Sequence, residues 1–192
     1  MNQTLIKGAL IGGVVLFVWT MISWELLPWH TAGFTSFRDE GAVAQVVSAN
    51  VSGPGLYGIP GMAKTAGLSP ADQKAAEAAM IKRMQEGPIV FMAVRPQGMS
   101  SMVKPMVVEL VTVVLGALLL TWLLQRSSAR THSARAQFAV VACLMAGILT
   151  ALPEWNWWGF STMYSLVGIA DLMVGGLFAG LAISRFAFPR TA

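Results

Sequence analysis

Four stretches of the chain stay apolar for the length of a membrane crossing, and a polar segment with a different rhythm separates the first from the second. The stretches are residues 8–27, 105–125, 135–152 and 161–184. A spanning helix needs about 20 predominantly apolar residues, so each predicts a transmembrane helix. The third is the shortest and is expected to span with the help of its Trp-rich flank and local thinning of the lipid.

Between the first two lies a segment with shorter periods. Val43, Val46 and Val47 fall at helical spacing within residues 37–49, and residues 51–61 carry the Gly and Pro density of an irregular loop. Ser69-Pro70-Ala71-Asp72 reads as an N-cap, a proline at the first helical position and an acid in the first turn. The helix it opens runs to about Glu86, with Gly87 to close it. Residues 88–94 are rich in β-formers between two prolines and predict a strand. A lone strand is not stable, so residues 55–59 or the underside of the helix must cover it.

The expected fold class is therefore all-α integral membrane: a four-transmembrane-helix bundle with a small α+β extracytoplasmic segment between helices one and two. The chain divides into an N-terminus with the first helix (1–28), an extracytoplasmic segment (29–104), the second helix (105–125), a short loop (126–134), the third helix (135–152), a Trp-rich loop (153–160), the fourth helix (161–184) and a tail (185–192). The first apolar run is longer than the roughly 7 to 15 residues of a cleaved signal core, so it reads as a retained anchor.

Composition agrees with the pattern. The chain is 55% hydrophobic and 11% charged, where a soluble domain carries roughly a quarter charged residues. The net charge of +4 does not point to nucleic acid, because the basic residues sit at helix ends rather than in an aromatic-interleaved patch. Lys7, then Arg126, Arg130 and Arg135, then Arg185 and Arg190 flank the helices, while residues 153–160 contain no Lys or Arg. Short basic loops stay in the cytoplasm, so both termini and the 126–134 loop are expected there, with 29–104 outside. A bacterial inner membrane fits this pattern.

Against so apolar a background the polar residues within the helices stand out. Along the fourth helix Ser161, Tyr164, Gly168, Asp171, Gly175, Ala179 and Ala182 form a stripe of small or polar side chains. Such stripes mark where membrane helices approach closely. Asp171 lies roughly 15 Å from the start of its helix at 1.5 Å per residue, near the middle of a bilayer. An ionised Asp there costs about 2.5–3.5 kcal/mol on insertion scales, so it is expected to face inward. On the second helix Glu109, Thr112 and Gly116 share a face, with Lys104 one turn above Glu109. Asp171, Glu109, Lys104, Thr112 and Tyr164 are thus the candidates for a proton or cation path, or for interhelical hydrogen bonds that hold the bundle.

A second group lies at the expected outer boundary. Trp24, Glu25, Trp29 and His30 follow the first helix, and Trp155, Trp157 and Trp158 precede the fourth. They form an aromatic belt or a binding shelf for a quinone, a lipid or another subunit.

Several chemistries find no support. The only cysteine, Cys143, falls in a membrane helix, so no disulfide forms within the chain. His30 and His132 are expected on opposite sides of the membrane, which rules out a bis-histidine haem within one chain. Met99, Met102 and Met106 offer soft thioethers that suit Cu(I), but without histidines or a repeat they do not make a metal site, and no cofactor is expected. Neither a phosphate-cradling loop nor a complete nucleophilic set is apparent.

The leading functional expectation is an accessory, assembly or scaffold subunit that associates with another membrane protein or with itself, in contact with lipid. The alternatives are a proton- or cation-coupled transporter using Asp171 and Glu109, and a lipid- or quinone-binding enzyme subunit.

Overall fold

The computed structural model describes residues 2–188. Arg190, counted among the charges that set the topology, lies outside them. Two compact units are present. One comprises the residues up to Thr35 together with those from Ser101 on, and the other comprises Ser36–Ser100.

The first unit is built from four long helices, α1 (Gln3–Glu25), α4 (Val103–Arg126), α5 (His132–Trp158) and α6 (Thr162–Phe186), each long and apolar enough to cross a membrane. Polar side chains cap three of them at the start: Asn2 accepts from the Leu5 amide, Thr131 from Ala134 and Ser161 from Tyr164. Each cap satisfies one of the amides a helix start leaves without an internal partner.

Small residues set how the helices pack. α1 lies between α4 and α6, α5 packs along α6, and α4 and α5 touch only marginally. A side chain at Gly13 would run into Val114 of α4, and one at Gly12 into Ile183 of α6. Likewise a Cβ at Gly176 would stand 2.6 Å from Cys143 Sγ, and one at Gly180 2.6 Å from Ala139 Cβ. The bare glycines therefore let the backbones approach, which is the main attraction available to helices in lipid. A core of Leu120, Leu124, Ala139, Ala179, Ile183 and Ala187 closes the end of the bundle that bears the chain termini. There Gln125 reaches Asn2, the His132 Nδ1 lies 2.7 Å from the Ser184 hydroxyl, and the buried Arg135 guanidinium sits 3.9 Å over the Phe188 ring. The outward faces carry exposed Leu, Val, Ile and Met, such as Leu10, Val14, Leu119, Val141 and Leu149.

Several boundaries depart from the sequence reading: α1 begins at Gln3, so Lys7 lies within it rather than ahead of it, α5 begins at His132, and the largest difference is at the end of α5. Residues 153–160 were expected to form a Trp-rich loop, but α5 continues through Pro153 to Trp158 and ends at Gly159, whose φ is +73°. Proline removes one amide and crowds the carbonyl four residues back. In a membrane helix that loss is accommodated when neighbouring groups satisfy the backbone, and Pro153 lies within two turns of the helix end. The connection to α6 is reduced to residues 159–161, and the Trp155 indole donates across it to the Thr162 hydroxyl.

The second unit contains α2 (Glu40–Asn50), β1 (Gly55–Ile59), α3 (Pro70–Glu86) and β2 (Val90–Val94). The strands pair antiparallel, Gly55 opposite Val94 and Ile59 opposite Val90, which supplies the partner that residues 88–94 required. Part of the stretch read as an irregular loop is therefore a strand. Asp39 caps α2, Ser69 caps α3 through the Asp72 amide, and Gly87 ends α3 at φ +68°. Not one residue of this unit is fully buried.

Candidate functional site

The polar cluster at the opposite end of the bundle from the termini begins with a chain reversal. Pro28 follows the end of α1, the Thr31 hydroxyl donates to the Pro28 carbonyl at 2.8 Å, and Thr31–Gly33 form a single 3-10 turn. A Cβ at Gly33 would stand 2.9 Å from the Tyr164 Cα, so only glycine lets this turn lie against α6. Ser161 pins it by donating to the Gly33 carbonyl at 2.9 Å. The reversal brings Trp29 and His30 back over the last turns of α1.

Ser23 of α1 is the centre of the cluster. Its side chain is fully buried, and its hydroxyl donates to Asp171 Oδ1 at 2.7 Å. The Trp29 indole donates to the Ser23 hydroxyl oxygen at 3.0 Å, and His30 Nε2 lies 2.9 Å from that same Oγ. His30 is 6% exposed and Asp171 17%, with Nε2 3.7 Å from Oδ2. Trp24 stacks on the imidazole at a centroid distance of 3.9 Å, and the Trp19 indole donates to the Asp171 carbonyl at 3.2 Å.

A hydroxyl offers one proton and two lone pairs. With Asp171 ionised, Ser23 gives its proton to the carboxylate and accepts from Trp29 and from a protonated His30 Nε2. With Asp171 protonated, the carboxyl donates to Ser23, whose own proton turns to a bare Nε2, and Trp29 still donates. The Ser23 hydroxyl keeps its proton and both lone pairs engaged in both arrangements. They differ by one proton passed from Nε2 to the Ser23 oxygen while the Ser23 proton passes to Oδ1. The geometry of the cluster admits both hydrogen-bonding arrangements.

It is not a nucleophilic triad. In a serine hydrolase the imidazole stands between serine and acid, using a different nitrogen for each. Here the same Nε2 faces both, and the hydroxyl is inaccessible to a substrate.

Asp171 lies in the wall between two cavities. One, of about 180 Å³, is lined by His30, Thr150, Glu154, Tyr164 and Gly168. The other, of about 380 Å³, is bounded by Trp19 and Thr20 of α1, Glu109, Thr112 and Gly116 of α4, Cys143 of α5, and Gly175 and Gly176 of α6. It exists because α4 and α5 barely meet. Asp171, Trp24 and Leu172 line both.

The expected site residues divide accordingly. Asp171 and Tyr164 line the smaller cavity, and Tyr164 also packs edge-on against Phe34. Asp171 and Glu109 share the larger one, but no direct bond joins them, and the Glu109 carboxylate engages no hydrogen bond or ion pair among the described residues. The Thr112 hydroxyl turns back to the Val108 carbonyl, and Lys104 is exposed in the first turn of α4. His30, expected on an interfacial shelf, is instead buried beside Asp171, because the turn after Pro28 folds it inward. Of the other shelf candidates, Glu25, Trp24, Trp155, Trp157 and Trp158 are exposed, whereas Trp29 is half-buried against Ser23. Met102 precedes α4, Met106 lies in it and Met99 belongs to the second unit; all three are exposed. Among the described residues no group of three or more His, Cys, Asp or Glu side chains converges as a metal site would require.

Ser23, Trp19, Thr150 and Glu154 were not singled out from the sequence. The signal available was Ser23-Trp-Glu-Leu-Leu-Pro-Trp-His30, a serine one turn before a helix stop and a histidine just beyond it, close enough to fold back. Compared with protein-family models, characterised proteins and solved structures, the chain matches none.

Proposed function

We propose that this chain is a multi-pass membrane protein that moves protons or cations, with Asp171 as the exchanging group. The basic residues at the helix ends support a topology with both termini cytoplasmic and residues 29–104 outside, in a bacterial inner membrane. The observation that carries the reading is the position of the Asp171 carboxylate: hydrogen-bonded to Ser23, beside His30, and exposed to two cavities, the larger of which also holds Glu109. Intramembrane acids that face a cavity are the usual components of ion and proton paths. Groups of several elements bear on Asp171: His30 from the turn after α1, Glu109 from α4, Cys143 and Glu154 from α5, and Tyr164 from α6.

The glycines Gly12, Gly13, Gly176 and Gly180 pack helix against helix within the chain, and an accessory or assembly role is the second reading. One feature still favours an accessory or assembly role. The second unit, without a buried residue, needs a covering surface to be stable.

The test is proton movement in liposomes containing the purified full chain, followed by an internal pH dye under an imposed pH difference. Wild type is expected to dissipate the gradient, and Asp171→Asn to reduce the rate at least tenfold. Equal rates for wild type, Asp171→Asn and protein-free liposomes would contradict the reading.

A further inference from the structure

We infer that the larger cavity is a binding site for an amphiphilic organic cation, a positive centre carried on an aryl or alkyl body. The inference deepens the carrier reading by naming the substrate class and rests on it only for transport, not for binding.

Three features select that chemistry. The volume, about 380 Å³, falls within the roughly 300–1,000 Å³ of small-molecule sites. The lining is mostly apolar, with Val113, Leu16 and Leu120 among its residues, so it favours hydrocarbon over a hydrated metal ion. Its uncompensated charge is of one sign: Asp171 has His30 beside it, Glu109 has no basic partner, and among the described residues no Lys, Arg or His lines it. Trp19 and Trp24 add indole faces, and indole is the aromatic ring that best attracts a cation.

Glu109 is the sharpest of these observations. Asp171 has Ser23 and His30 beside it, but the Glu109 carboxylate has no partner among the described residues although it sits within an apolar helix. A carboxylate in that setting is stabilised by a proton or by a ligand cation. A neutral lipid or quinone would leave the acid without its counter-charge.

The cavity also offers a way to close it without disturbing the fold. Gly116 lines it, and a Cβ added there meets nothing within 4 Å. Gly116→Leu therefore projects into the cavity and improves the helical propensity of α4.

The experiment is equilibrium binding of radiolabelled tetraphenylphosphonium to the purified full chain in detergent. Neutral triphenylphosphine oxide serves as the charge control, and empty micelles as background. Wild type is expected to bind the cation saturably and to show no saturable binding of the phosphine oxide. Glu109→Gln and Gly116→Leu are each expected to weaken binding at least tenfold while eluting as folded protein on size exclusion. The inference is overturned if wild type shows no saturable binding. Unchanged affinity in both variants, or equal binding of the neutral probe, would overturn it as well. The carrier reading stands or falls separately: saturable binding with no proton movement in liposomes defeats it and leaves this inference, and proton movement with no binding does the reverse.

Discussion

Ser23 has more depending on it than any other side chain in the bundle, because its single hydroxyl joins Asp171, His30 and Trp29. Ser23→Ala leaves a carboxylate, an imidazole and an indole without a shared partner in a buried place. Leaving a buried polar group unsatisfied costs about 1–3 kcal/mol, so the variant is expected to unfold at a distinctly lower temperature in detergent; an unchanged midpoint would mean the cluster does not hold α1 to α6. Glu109→Gln should behave oppositely, since it breaks no bond and removes a charge from an apolar helix. Its thermal midpoint is expected to equal or exceed that of wild type, and a large drop would reveal a partner for Glu109 within the chain. At this scale the sequence was half legible. Asp171 announced itself because a lone acid contrasts with its apolar run. His30 did not, because its burial depends on a reversal at Pro28 and on the bare backbone of Gly33 against Tyr164, neither of which shows in periodicity.

At the scale of elements, the capped starts of α3 and α6 were easy to read, whereas the starts of α1 and α5 and the end of α5 lay outside the apolar runs. The Ser69-Pro70 signal opened α3 as expected, and Ser161 caps α6 where the fourth apolar run begins. α5 outran its apolar pattern, because its backbone ladder continues past Pro153 into side chains chosen for a polar boundary. Glycines divide into two kinds that sequence alone could not separate. Gly176→Val would drive a branched side chain into Cys143 and the Ala139 carbonyl, 2.6 and 3.1 Å from its Cβ. Overpacking of this sort costs about 1–3 kcal/mol, and α5 and α6 should separate. Gly168→Ala meets nothing within 4 Å and should instead raise stability by about 0.5–1 kcal/mol through helix propensity. Thermal unfolding of the two variants side by side checks the distinction; equal losses would show that the α5–α6 packing is misassigned.

For the whole molecule, the contrast between the two units is the main result. The bundle locks its small-residue faces internally and leaves its bulky faces outward, as lipid would require. The second unit has a two-stranded ladder and two capped helices but no buried residue, so local signals in the sequence could place its elements without revealing what covers them. Residues 36–100 produced alone are expected to show weak helicity and no cooperative thermal transition by circular dichroism. A sharp two-state melt would show that the unit is self-sufficient.

The proposed function turns on whether Asp171 takes up and releases a proton inside the bundle, through the hydroxyl it shares with His30. Infrared difference spectroscopy of the protein in lipid, cycled between acidic and alkaline buffer, tests it most directly. A reversible carboxylic-acid band is expected that disappears in Asp171→Asn and shifts in Ser23→Ala. A spectrum unchanged by Asp171→Asn would contradict the claim.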